Sequence, residues 1–434
     1  MDYRAMYESK KSTIPELLSL IQSGDCVVTG TDSDAPVTIL KELHTIGDRV
    51  DNVWIVKGAD RIYPFMTMPE LHGKINCTGL IMGAGNRESQ KTFNYQYMPA
   101  NLHDWIYRWE KNRPITVLLT AATPMDEDGY LYMSTCLINE AEALKSSSLR
   151  NIIVQVNSKL PVLKSEAGRI HISQITGLIE ADEDLFTVPA PNPSETDKII
   201  GATAAEFIND GDTIQIGLGG TADMVAVALE SKKDLGLHTE LFTPGIGHLI
   251  RIGVITGERK TVYKGRHVGT FAIGDEALYE DMGKNPAYMI LPGQITNDPF
   301  LIAQNDNMKS VNTALEIDLT GQICSESMGS TMYSGTGGAT DFAYGALHSK
   351  GGRGIIAIAS TAKKGTLSKI KPQLTPGATV SISRNLADTI ITEYGVAELK
   401  GRTITERAQM LIRIAHPDFR DELTFEAKRL GLIW

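Results

Sequence analysis

Gly217-Leu218-Gly219-Gly220-Thr221 and Glu240 are the residues whose types and spacing best suit chemistry. Glycines at a turn let backbone N–H groups approach a ligand that a side chain would keep away. Here the turn stands where a strand, Thr213 to Ile216, gives way to a helix from about Ala222 to Leu229. The start of a helix adds partial positive charge, suited to an anion or a developing oxyanion. Glu240 supplies a carboxylate beside it. A tight turn needing positive φ, with no ligand, would use the same glycines.

A dinucleotide site is a second reading. Gly217-x-Gly219-x-x-Ala222 matches the fingerprint of a nicotinamide-dependent oxidoreductase, and Glu240 falls near the spacing of its ribose-binding acid. That acid normally ends its strand. Here Leu241-Phe242 follow Glu240, so the acid reads as strand-internal, in a strand from Glu240 to Phe242. A salt-bridged Glu at a strand edge is the structural alternative.

A second segment is dense in small residues: Cys324 to Gly329, then Tyr333-Ser334-Gly335-Thr336-Gly337-Gly338-Ala339-Thr340-Asp341-Phe342, and on to Gly351-Gly352. A long loop between ordered flanks points to function. From Lys350 to Lys371 the chain carries Lys350, Arg353, Lys363, Lys364, Lys369 and Lys371 and no acid, a stretch able to receive phosphates. For the last four lysines a solvated basic face is the favoured reading. Glu326 is a second acid near this segment. His416-Pro417 reads as a structural histidine at a helix end. Tyr95 to His103 could line a pocket or simply pack.

The elements that must position these groups come as a duplication. Gly24-Asp25-Cys26-Val27-Val28-Thr29-Gly30 and Gly211-Asp212-Thr213-Ile214-Gln215-Ile216-Gly217 share one pattern, offset by 211 − 24 = 187. Carried on without a gap, that offset sets Val53 against Glu240 and Gly58 against Gly245. The first copy keeps Gly30 but has Thr31, Asp32 and Ser33 where the second has its glycine cluster. Alternating strands and helices imply two similar α/β domains with parallel sheets. The proline-rich connector Val188-Pro189-Ala190-Pro191-Asn192-Pro193-Ser194 marks the boundary, giving domains 1–188 and 189–434.

Composition bounds the rest. At 434 residues the chain exceeds one core. A formal net charge of −10 argues against a nucleic-acid binder. The four cysteines are scattered without a C-x-x-C, which speaks against a zinc site or disulfide framework. No apolar run approaches the ~20 residues of a membrane helix. A cytoplasmic protein with no membrane partner, no metal and no permanently bound cofactor is expected.

Several motifs together resemble the acetyl-CoA hydrolase/transferase family of class I CoA-transferases, above all the 4-hydroxybutyrate and butyrate:acetate enzymes. They are Gln215-x-Gly217-x-Gly219, Leu237-His238-Thr239-Glu240, Asp318 to Gln322, Tyr333 to Gly338, Gly345 to Gly352, Thr392 to Leu399 and Ala415 to Arg420. The resemblance implies Glu240 as nucleophile. It implies coenzyme A or acyl-CoA as substrate, contacted by Gly217, Leu218, Gly219, Gly220, Thr221, Gly335, Gly337, Gly338 and Lys350. The backbone N–H groups of Gly217 to Gly220, with the Gln215 amide, become oxyanion donors. An ionised Glu240 needs polar neighbours, and His238 and Thr239 are nearest in sequence. The family often has Pro where Ala222 stands and Gln where Ala339 stands, so acyl preference is where this chain is expected to differ. Acyl-CoA and a short carboxylate are the expected small-molecule partners, and a homodimer or higher homo-oligomer is expected. An acyl-CoA hydrolase on the same fold is the nearest alternative.

Overall fold

The computed structural model describes residues 2–58, 61–91, 94–187 and 192–434. The first part of the proline connector, residues 188–191, lies outside them. The chain divides into two compact units, Met1–Val188 with Val268–Thr296, and Pro189–His267 with Asn297–Trp434. The segment Val268–Thr296 thus groups with the first unit although it follows the second copy of the repeat. Among the described residues, no helix is long and apolar enough to cross a membrane.

The first unit is built on a seven-stranded sheet. Its order is Tyr95–Tyr97, Ile75–Gly79, Val53–Val56, Cys26–Thr29, Val117–Ala122, Asn151–Val156, Gly177–Glu180. Every neighbouring pair is parallel. Cys26–Thr29 and Val53–Val56 are buried along their whole length, which is why they read as continuous apolar runs rather than alternating ones.

Among the acids this unit buries are Asp34 and Glu140. The Asp34 carboxylate accepts the backbone N–H of Ser134 at 3.0 Å, of Thr135 at 3.0 Å and of Cys136 at 2.9 Å, and the Thr135 hydroxyl at 2.8 Å. Glu140 accepts the Asn139 N–H at 2.9 Å, and its Oε1 has no partner among the described residues. Burial pushes the Asp34 carboxyl up to about 7 and that of Glu140 to about 8. In both, burial is the main cause, and each N–H opposes it by favouring the charged form.

In the second unit the sheet runs Gly236–His238, Thr213–Ile216, Met308–Asn312, Arg353–Ala357, Thr389–Thr392, Gly395–Glu398. All pairs are parallel except the last. A core that includes Ile317, Leu319, Ile323, Ile356, Ile358, Ile370 and Leu411 packs near this sheet and the helix Ile404–Ile414. Thr403 and Glu406 close that helix start with a reciprocal capping box. His416 caps the helix Pro417–Arg429, its side chain accepting the Asp418 N–H, as its place in the sequence suggested.

Strand register corrects the repeat. Cys26 pairs with Trp54, and Thr213 with Gly236. The first strands keep the offset of 213 − 26 = 187, but the next pair stands at 236 − 54 = 182. The second copy is therefore five residues shorter between these strands (187 − 182 = 5). Glu240 corresponds to Gly58, since 240 − 182 = 58, and not to Val53.

Candidate active site

Glu240 is not inside a strand. It lies in the bend between Gly236–His238 and Leu241–Phe242. Register pairs Ile214 with Leu237, so the same step of 23 residues sets Gly217 level with Glu240. Both stand just past the carboxyl ends of adjacent parallel strands, where open α/β sheets hold their ligands. The first unit repeats the geometry with glycine at both places, Gly30 level with Gly58 (Val28 pairs with Val56). The asymmetry noted in sequence thus survives in altered form, because the carboxylate replaces a glycine at a strand end.

The local chain holds Glu240 firmly. The strand before it is buried. The Lys260 ammonium donates to the Leu237 carbonyl at 2.7 Å and to that of Arg266 at 3.0 Å. Burial pulls that ammonium down to about 7. After Glu240, Thr243 caps the helix Pro244–Arg251, its side chain accepting the Ile246 N–H at 3.4 Å.

Two donors meet the carboxylate. Asn297 Nδ2 donates to Glu240 Oε2 at 2.8 Å. Asn297 is fully buried, and its Oδ1 has no partner among the described residues. It precedes Asp298, which caps the short helix Pro299–Ile302. The backbone N–H of Gly338 donates as well. Gly338 is the N-cap of the helix Ala339–His348, so the positive end of that helix faces the acid. A Cβ on Gly338 would overlap Glu240 Oε2 and Asn297 Nδ2. Its φ of −91° suits any residue, so glycine is required here by space alone.

Glu240 keeps some accessible surface, yet protein surrounds its carboxyl closely enough to displace most water. Burial pushes its pKa up to about 7, and the charge of Asp341 adds to the rise. The Asn297 amide and the Gly338 N–H oppose it. At neutral pH the group is poised between its two forms.

The remaining sequence-derived candidates separate into three groups. Gly335, Gly337 and Gly338 are buried on the approach to the helix Ala339–His348, and Gly337 has a φ of +48°. The small-residue segment is accordingly not a loop throughout, since it holds this helix and the hairpin Ser327–Met328 with Thr331–Met332. The first glycine turn flanks Glu240, but not all of it is available. The Gly217 N–H already donates to Val311 O at 2.9 Å. Gln215 pairs its amide with that of Asn312, each donating to the other at 3.0 Å. Gly219, with a φ of +122°, caps the helix Gly220–Ala228, and Leu218 is exposed. Thr221 donates to Asp197 at 2.6 Å, which already sets a carboxylate at this helix start.

Lys350 stands apart. It follows the far end of Ala339–His348 and pairs with Asp306 at 3.5 Å. Ten residues of helix set it roughly 15 Å from the end that meets Glu240. Arg353 is paired with Glu398 at 2.7 Å. Lys369, read from sequence as solvated, is half-buried, and burial lowers its pKa against the charges of Glu393 and Asp197.

The neighbours expected from sequence are not those that touch the acid. His238 turns its ring to Asn305, 3.3 Å away, and to the edge of Phe342. The Thr239 hydroxyl donates to Leu241 O at 3.3 Å. Glu326 is buried in the turn before Ser327–Met328, where its carbonyl accepts from Tyr333 and Ser334. Asn297 carried no signal in sequence, being one polar residue 57 positions from its partner. The strand-internal placement that had separated Glu240 from a dinucleotide-binding acid also fails. What distinguishes it is its bonding to the second glycine segment.

Residues 274–427 match the family described as acetyl-CoA hydrolase/transferase C-terminal domain. The chain is 37% identical to the succinyl-CoA:cyclohexane-1-carboxylate CoA transferase of Geobacter metallireducens, over 99% of this chain and 98% of that one. It is 35% identical to the 4-hydroxybutyrate coenzyme A transferase of Clostridium kluyveri, over 99% and 100%. The crystal structure of RipA from Yersinia pestis superposes with a TM-score of 0.93 at 36% identity, covering all of both chains.

Proposed function

Because this chain belongs to the acetyl-CoA hydrolase/transferase family, we propose that it moves coenzyme A between a short-chain acyl-CoA and a short carboxylate, with Glu240 as nucleophile. Acetyl-CoA or butyryl-CoA as donor, and 4-hydroxybutyrate, butyrate or acetate as acceptor, are the substrates this reading favours. The relative from Clostridium kluyveri supports it by name. The observation that carries it is the Glu240 carboxyl at a strand end, held by Asn297 and Gly338.

Ionised Glu240 attacks the thioester carbonyl. The C–S bond breaks, leaving an acyl-glutamyl anhydride and CoA thiolate. The thiolate attacks the glutamyl carbonyl and the first acid departs, leaving a glutamyl-CoA thioester. An incoming carboxylate runs the sequence backwards. Thioester energy is thereby conserved rather than lost to water.

In the second step negative charge develops on a glutamyl oxygen. The groups that hold Glu240 in the resting state, Asn297 Nδ2 and the Gly338 N–H, are already in place for it. A preorganised donor of this kind contributes about 3 kcal/mol. At the other carbonyl, the N–H groups of Leu218, Gly219 and Gly220 are the candidates. Those of Gly217 and the Gln215 amide are engaged elsewhere.

Initial rates with both substrates varied test the reading. Ping-pong transfer predicts parallel double-reciprocal lines. Intersecting lines would remove the covalent intermediate. Thiol release undiminished without any acceptor acid would make the protein a hydrolase.

A further inference from the structure

We propose that Asp197, acting through Thr221, is a positioning residue that holds the glycine turn with its N–H groups free for an acyl carbonyl. The inference rests on the reading of that turn as the oxyanion donor for the thioester.

A carboxylate at a helix start commonly accepts the first-turn N–H groups. Asp197 does otherwise at the start of Gly220–Ala228. Its Oδ1 accepts the Thr221 hydroxyl at 2.6 Å. Its Oδ2 accepts the Ser194 hydroxyl at 2.6 Å and the Ser194 N–H at 3.0 Å, within the capping box of the helix Glu195–Ala205. Burial raises the Asp197 pKa, but the Ser194 and Thr221 donors outweigh it and hold the carboxyl below its ordinary value. Gly219, the N-cap of Gly220–Ala228, has no side chain to spend on that helix. Among the described residues, the N–H groups of Leu218, Gly219 and Gly220 therefore meet no acceptor.

The tie is placed to hold them. Gly217 stands level with Glu240, and Thr221 follows the turn directly. Asp197 and Gly201 share one face of their helix, since residues four apart are neighbours. A Cβ on Gly201 would overlap the Met224 backbone, so the two helices touch closely there. That contact and the Thr221 hydroxyl bond fix Gly220–Ala228 at two points about one turn apart. The turn before it needs fixing, because Gly219 has a φ of +122° and glycine has the freest backbone.

The test is steady-state CoA transfer, measured well below the thermal transition. Thr221→Val keeps the shape and removes the hydroxyl. It should lower kcat and kcat/KM together by about tenfold, with KM for acyl-CoA unmoved. Thr221→Ser should restore most of the rate. Asp197→Ala should resemble Thr221→Val, and the double variant should be no slower than the slower single one, because both remove one interaction. A merely structural tie would lower the thermal transition and leave kcat of the folded protein in place. Unaltered kcat in Thr221→Val, a Ser variant as slow as the Val one, or multiplying losses in the double variant would each overturn the inference. Glu240→Gln, measured alongside, separates the two ideas. Full transfer by that variant would remove the nucleophile, while the contrast between Ser and Val at 221 would still report on the turn.

Discussion

At the scale of single residues, space and charge around Glu240 leave little freedom. Gly338 shows this most sharply. Its backbone dihedrals would accept alanine, yet a methyl group there would strike both Glu240 Oε2 and Asn297 Nδ2. A displacement near 1 Å at a reacting group costs about a hundredfold. Gly338→Ala is therefore expected to lose about two orders of magnitude in kcat/KM, with the thermal transition close to that of the parent protein. Near-normal kinetics would mean that the Glu240 carboxyl can move aside without penalty, contrary to the account of a preorganised site.

At the scale of elements, the duplication was legible and its alignment was not. Cys26–Thr29 and Thr213–Ile216 read correctly as buried strands, because each is a short apolar run closed by glycine. That the glycine turn and the acid lie beside each other was also legible in sequence. Their pairing with Val53 was wrong, because a comparison without gaps cannot sense five residues lost between strands. Register restores it, and a glycine becomes the residue that the acid replaces. Asn297 was out of reach for a different reason. Only folding brings it to Glu240, and a lone Asn before a helix cap has an ordinary structural explanation. The bonding of Gln215, the candidate oxyanion donor, was out of reach on similar grounds. Its sequence position suits the role, but its partner Asn312 comes from the neighbouring strand.

Glu140 carries the element-scale prediction. Its Oε1 has no partner among the described residues, and its carboxyl, pushed up to about 8, stays protonated in the folded protein at neutral pH. The unfolded chain releases that proton near 4.5. Between those values the folded state binds more protons, so stability falls as pH rises, by roughly 1.4 kcal/mol per unit at most. Glu140→Gln removes the titration and keeps the shape. Its unfolding free energy, followed from pH 5 to pH 8, should decline less steeply than that of the unaltered protein. Parallel curves would show Glu140 to be ionised in the fold.

For the whole molecule, carboxyl and ammonium groups that burial shifts toward neutrality pull in opposite directions. Asp34 and Glu240, both near 7, act like Glu140 and weaken the fold as pH climbs through 5 to 7. Lys260, also near 7 but lowered, costs most below that value and progressively less as pH rises toward 10. Of these, Glu240 is the one that stands level with the glycine turn at a strand end, and it is the one proposed as nucleophile. The central claim is that coenzyme A becomes covalently attached there. Intact mass after incubation with acyl-CoA and no acceptor acid tests this most directly. A CoA adduct is expected, located on the peptide containing Glu240 and absent from Glu240→Gln. Unmodified protein retaining full transferase activity would contradict it.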